Sequence, residues 1–252
     1  MDSKSELEQS QALIQEMRKR ATASNYKYST LQREFLLYPD VFNPDINTEI
    51  SEFLNMSFYK LATEVTAKKS QHESVDFMEV GCGAGYTAIS LALLSDKCHV
   101  WASDINQAAV KNAQANAKLH GVEDRFHVVL ADVFDHEEIT GRKFDMIYWN
   151  HPWGGHGTTA GTEIEPMLHG IVDPGYQGLR SYLSKGEEHL KESGRLILSF
   201  SFSYGSEEKF AQIAKETGWS FKIIEKEKFC LEIDGKPIEH IASIIELIKD
   251  VK

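Results

Sequence analysis

Three cysteines among 252 residues are too few for a disulfide framework. Cys82, Cys98 and Cys230 cannot all pair, and none stands in C-x-x-C spacing. They read as reduced thiols of a cytoplasmic protein rather than as bridges or zinc ligands. The chain has no apolar run long enough to span a bilayer and shows no leader pattern, so neither membrane insertion nor export is expected. Cationic charge is also short: 27 Lys and Arg face 38 Asp and Glu, for a net charge of −11. A general nucleic-acid binder needs cationic surface to displace counterions, so that class is disfavoured. The one basic cluster is Arg18, Lys19, Arg20, Lys27 and Arg33 near the start. Histidines are scattered. His151, His156 and His169 share one stretch, but without metal-ligand spacing they read as loop residues and no metal site is expected.

What is present is a strongly punctuated α/β pattern in a chain long enough for one large domain with a substantial core. Five apolar runs, the last of them Arg195 to Phe202 after a Ser193-Gly194 turn, alternate with helical segments between residues 76 and 202, which predicts a parallel sheet. Phe77 to Val80 reads as the first of these strands, and Gly81-Cys82-Gly83-Ala84-Gly85 follows, with a helix starting at about Tyr86. Alternating glycines let the chain turn sharply and let a ligand approach where a Cβ would collide, and the helix aims its free N–H groups at that ligand. The spacing is G-x-G-x-G, with Tyr86 where a dinucleotide fingerprint has its last glycine, so a pyrophosphate would be poorly seated.

Acids recur at the following strand ends. Val100 to Asp104 is the next strand, its acid about 20 residues beyond the glycines, where a ribose-binding carboxylate belongs. Ile105 and Asn106 come next, then a helix from Ala108 to His120 closed by Gly121. Phe126 to Phe134 reads as a further strand carrying Asp132 and Val133. A lone Asp after a strand is usually a turn residue. Glu79, Asp104 and Asp132 at three successive ends instead predict a ligand at the carboxyl edge of the sheet. A fourth strand, Phe144 to Trp149, runs into Asn150-His151-Pro152-Trp153-Gly154.

The glycine segment resembles the first motif of class I S-adenosylmethionine (SAM) methyltransferases. The resemblance implies SAM as cofactor, a doubly wound, mostly parallel seven-stranded sheet and an antiparallel last strand. It also implies cofactor contacts from Glu79, Gly81, Gly83, Gly85, Asp104, Ile105, Asn106, Asp132, Val133 and Asn150, with Asp132 on the adenine amino group. Asn150 to Trp153 resembles the Asn-Pro-Pro-Tyr motif of methyltransferases that act on planar nitrogen. Such a nitrogen is a weak nucleophile because its lone pair is delocalised. The Asn150 side-chain oxygen and the carbonyl of residue 151 can each accept one of its N–H groups and hold it in line for transfer. Pro152 stiffens the turn, and Trp153 offers a flat face to the substrate. His151 replaces the usual proline. It is expected either to point to solvent, the plainer reading, or to act as a general base.

Val41 to Glu49 resembles the Pro-rich segment that precedes the cofactor domain in the HemK/PrmC group of protein-(glutamine-N5) methyltransferases. Glu165-Pro166 and Gly178-Leu179, with Gln177 in place of an Asp, resemble a downstream segment of that group. Together these matches cover roughly residues 38 to 205. The expected reaction is methyl transfer to an amide or amine nitrogen, of a protein glutamine or a small molecule. A nucleobase amine, a non-catalytic SAM-binding scaffold that activates a partner chain, and aminopropyl transfer are the alternatives. Residues 1–70 are expected to form an N-terminal helical extension and cap, with polar helix to about residue 37 that carries Leu13, Ile14 and Met17 on one face and a second helix over Ile50 to Val65; 71–252 are expected to form the cofactor domain. Gly154 to Gly175 is expected to be a structureless lid. Phe221 to Ile233 and Ile238 to Ile248 are expected to pair through Asp234-Gly235. Oligomeric state is left open.

Overall fold

The computed structural model describes residues 27–44, 48–152, 163–233 and 236–250. The first described element is a hairpin, β1 (Lys27–Thr30) and β2 (Arg33–Leu36). Helix α1 (Thr48–Ala67) follows, then β3 (Val75–Val80), α2 (Tyr86–Ala92), β4 (Cys98–Asp104), α3 (Gln107–His120), β5 (Phe126–Leu130) and β6 (Phe144–Asn150). The second half holds α4 (Gln177–Gly186), β7 (Leu190–Phe200), α5 (Glu207–Glu216), β8 (Trp219–Ile233) and β9 (Lys236–Lys249).

Seven strands form one sheet in the order β5-β4-β3-β6-β7-β9-β8. Strands β3 to β7 pair in parallel, and β9 runs antiparallel to both β7 and β8. Strands buried on both faces read as continuous apolar runs, which is why Phe77 to Val80 and Phe144 to Trp149 were legible. One face is covered by the hairpin and α1, α2 and α3, and the other by α4 and α5. The order reverses between β3 and β6, so a crevice opens at their carboxyl ends. Among the described residues no helix is long and apolar enough to cross a membrane.

The structure corrects four expectations. Residues 27–36 form a hairpin, not a helix; Leu13, Ile14 and Met17, on which the helical expectation rested, lie outside the described residues. Its turn places Leu31 and Gln32 at φ of 50° and 61°. That is type I′ geometry without the usual Asn-Gly signature, and burial of Leu31 in the core supports it. The chain leaving the hairpin is stitched to α3, where the buried Asn116 Oδ1 accepts the Leu36 N–H at 2.7 Å and Asn112 Oδ1 that of Tyr38 at 2.8 Å. Strand β5 stops at Leu130, because the next residues turn and Val133 takes a positive φ of 56°. Strand β7 begins at Leu190 rather than Arg195. Its pairing jumps from Phe144↔Leu190 to Met146↔Arg195, so Ser193-Gly194 lies in a bulge. Lastly, the described part of the expected lid is structured. Pro166–Gly170 and Pro174–Tyr176 form 3-10 turns, with Met167 and Leu168 buried. Trp153 and residues 154–162 lie outside the described residues, as do Asp234 and Gly235.

Candidate active site

The crevice at the carboxyl ends of β3, β4 and β6 is a pocket lined by residues from most of the predicted motifs. Glu79, Gly81, Gly83, Asp104, Ile105, Asn106, Asp132, Val133, Asn150 and Pro152 all face it. Gly85 does not line it. Its own role is close packing: a Cβ there would lie 3.0 Å from Ala113 Cβ, which lets α2 approach α3. Gly81 has φ of +63°, and a Cβ on it would meet Trp149 Nε1 at 2.7 Å, so glycine is needed on both counts.

The acids are held by backbone donors. Glu79, 4% exposed, accepts the Ala88 N–H at 2.9 Å near the start of α2. Asp104 accepts the Gly83 N–H at one oxygen and the Asn106 N–H at the other, both at 2.8 Å. These bonds fix the glycine loop relative to β4 and leave further lone pairs on Asp104 for hydroxyl donors. Asn106 caps α3 by accepting from Ala108 N, and its amide nitrogen donates to the Asp40 carbonyl at 2.7 Å. Its side chain therefore serves the fold at the pocket wall. Ile105 is 41% exposed at the rim and offers an apolar surface there.

Burial pushes the Glu79 carboxyl up to about 8, with the neighbouring Asp104 adding to the rise. Burial pushes Asp104 up to about 6 against the pull of its two backbone bonds. Desolvation also raises Asp132, helped by Asp135 and Asp173. No Lys or Arg lines the pocket among the described residues. Such a site favours a cationic ligand and disfavours phosphate. A sulfonium and an ammonium beside a ribose, the polar groups of SAM, suit this donor and acceptor set.

Four residues in and around the crevice were missed from the sequence. Ser199, opposite Asn150 on β7, donates its hydroxyl to Asn150 Oδ1 at 2.5 Å. Trp149 fills the space between Gly81 and Gly178, where a Cβ would lie 2.8 Å from the indole Cη2. Phe42 and Asp173 contribute further wall. His151 is only 1% exposed and does not line the pocket, so the expectation of a solvated side chain is wrong. Its Nε2 lies 3.0 Å from Asp173 Oδ2. Asp173 is pushed up by its burial, but the His151 bond and charge and the N–H groups of Gly178 and Leu179 outweigh that and hold its carboxyl below the usual range. Few of these partners could be found from sequence, because each depends on strand register or on a residue far along the chain.

A family profile described as "Methyltransferase domain" matches residues 71–229. The chain belongs to that family, and its fold is that of the SAM-dependent class I methyltransferases. A "Bifunctional methyltransferase" of Rickettsia typhi is 30% identical over 204 residues, covering 75% of this chain and 38% of the relative. A "Release factor glutamine methyltransferase" of Aquifex aeolicus is 33% identical over 138 residues, covering 53% and 48%. The chain thus spans less than half the length of these curated relatives. A SAM-dependent methyltransferase of Agrobacterium tumefaciens shares the fold with a TM-score of 0.57 at 18% identity, covering 92% of this chain and 72% of that one.

Proposed function

We propose that this methyltransferase places the methyl group of SAM on an amide nitrogen, most simply that of a glutamine side chain in a protein. The observation that carries the reading is Asn150. It ends β6 at the pocket wall with its carboxamide oriented by Ser199, beside the acid-lined cofactor crevice. SAM supplies an electrophilic methyl when bound. Asp104 and Asp132 would hold its ribose and adenine, with the glycine loop beside them, and Glu79 sits at the acidic end of β3.

The chain's own residues supply positioning. Asn150 Oδ1 has one lone pair engaged by Ser199, its other lone pair has no partner among the described residues and would accept one acceptor N–H, and the residue 151 carbonyl would accept the second. Fixing both N–H groups turns the nitrogen lone pair toward the donor and stabilises positive charge as it develops. The absence of Lys and Arg from the described pocket wall supports an uncharged amide over a phosphate-bearing nucleotide. The similarity to release factor glutamine methyltransferases supports it too.

The test is transfer of labelled methyl from SAM to a short peptide bearing one glutamine, beside an otherwise identical peptide bearing norleucine and an oligonucleotide of mixed sequence. Label on the glutamine peptide alone is expected. Label on the oligonucleotide alone would replace the amide with a nucleobase amine.

A further inference from the structure

The turn that carries Asn150 has a buried imidazole where resembling enzymes have a second proline, and the surroundings of that ring indicate what it does there. His151 stacks on Phe200 with ring centres 5.6 Å apart and on Tyr176 at 6.2 Å, and it meets the edge of Trp149 at 4.7 Å. Its Nε2 faces Asp173 Oδ2, so Nε2 carries the proton and donates to the carboxylate. Nδ1 is enclosed and has no hydrogen-bond partner among the described residues. The ring therefore has no nitrogen presented to the pocket, which removes it as a base toward the acceptor.

Asp173 joins this ring to a second element. Its Oδ1 accepts the Gly178 N–H at 2.9 Å and its Oδ2 the Leu179 N–H at 2.8 Å, which satisfies two free donors at the start of α4. One carboxylate thus gathers three donors, two from α4 and one from the acceptor turn. The same helix start abuts Trp149, the residue just before Asn150, across Gly178.

We propose that His151 and Asp173 are a positioning pair that ties the turn Asn150–Pro152 to the N-terminus of α4 and keeps the Asn150 carboxamide and the residue 151 carbonyl aimed at the acceptor. The inference rests on the acceptor role given above to Asn150. A proline limits such a turn covalently by fixing φ, whereas this pair limits it through a buried charge-assisted bond. Small displacements matter here, because an error of about 1 Å at a reacting centre can cost about 10²-fold in rate.

A double-mutant cycle separates this role from helix capping. Asp173→Asn keeps an oxygen for the α4 amides but weakens the bond to His151, and His151→Pro removes the imidazole while restoring covalent stiffness. Should His151→Pro fail to fold, His151→Phe keeps the ring stacking without the bond. Methyl transfer to the glutamine peptide, SAM affinity by calorimetry and 15N relaxation of the Asn150 side-chain amide are measured for each. Asp173→Asn is expected to lower kcat by about tenfold in the native background and by less than about threefold when residue 151 is already replaced, with SAM affinity within about twofold throughout. Equal losses in both backgrounds would show that Asp173 acts only as a cap and would overturn the pair. If the wild type transfers no methyl to the peptide, the acceptor reading fails, and the relaxation data decide the pair alone. An Asn150 amide that is rigid in the wild type and loosened by Asp173→Asn supports it, and one equally rigid in every variant overturns it.

Discussion

Ser199 Oγ lies 2.5 Å from Asn150 Oδ1, donated across the register pairing of β7 with β6. Both groups sit near the ends of adjacent parallel strands in the interior of the sheet, so the carboxamide is held by strand register. Asn150→Ala removes the acceptor of the substrate N–H and should cut turnover by about 10²-fold or more, by analogy with an oriented polar group at a reacting centre. Ser199→Ala leaves the carboxamide but frees its rotation, so a smaller loss of about tenfold in kcat is expected. SAM affinity should hardly change in either variant, because neither group is needed until an acceptor is held. Steady-state kinetics beside calorimetry measure the split. A Ser199→Ala loss confined to SAM affinity would show that Asn150 serves the cofactor instead.

Asp104 ties the glycine loop to β4 through Gly83 and offers its remaining lone pairs to a ribose. A charge-assisted bond in a desolvated site contributes roughly 1.5–3 kcal/mol. Asp104→Ala should therefore weaken SAM binding by at least about tenfold. Circular dichroism and calorimetry on the folded variant check this, and unchanged affinity would place the ribose elsewhere.

The crevice at the carboxyl ends of the strands was legible because its parts are local. The glycine turn follows β3 directly, Asp104 ends the next strand, and Gly121 closes α3 in the sequence itself. The acceptor half was less legible because it is assembled at long range. Nothing in the chain announces that His151 meets Asp173 or that Asn150 meets Ser199, since both depend on how separate elements settle against each other. The hairpin was hidden for a different reason: Leu31 and Gln32 hold the left-handed turn without the residues that usually favour it. Gly85 was assigned to the ligand because its motif is continuous, yet its geometry serves the contact of α2 with α3.

Trp149 links the two halves, with one end of its indole against Gly81 and the other against Gly178. A methyl group on residue 178 would sit 2.8 Å from Trp149 Cη2 and 3.3 Å from Asp173 Oδ2, so the indole or α4 must shift. Gly178→Ala should destabilise the fold by about 1–3 kcal/mol as an overpacked core site does. Gly83→Ala is the comparison, since no atom of the described residues lies within 4 Å of its Cβ position, although its φ of +55° still carries backbone strain. Urea unfolding of both variants tests the steric argument: a smaller loss at residue 178 than at 83 would mean that Trp149 yields freely.

Glu79 and Asp104 give the free protein a pH dependence opposite in sign to that of His240, whose imidazole is pushed down to about 4 by burial. Glu79 moves from 4.5 to about 8 on folding, and Asp104 from 3.8 to about 6. Between its unfolded and folded values each group binds more protons in the folded state than in the unfolded one. The stability they contribute is therefore fully present below about pH 4 and is lost as pH rises through about 6 for Asp104 and about 8 for Glu79. Melting temperature without ligand should fall from about pH 7 to about pH 8, above the range where His240 contributes the opposite slope, and Glu79→Gln should flatten that fall. A cationic ligand favours the ionised acids, so SAM should bind more tightly as pH rises from about 6 to about 8 and should release protons on binding. Calorimetry in two buffers of different ionisation enthalpy reads that proton release directly. No proton release on binding, together with a melting temperature that does not fall from about pH 7 to about pH 8, would show that Glu79 is already ionised in the free protein.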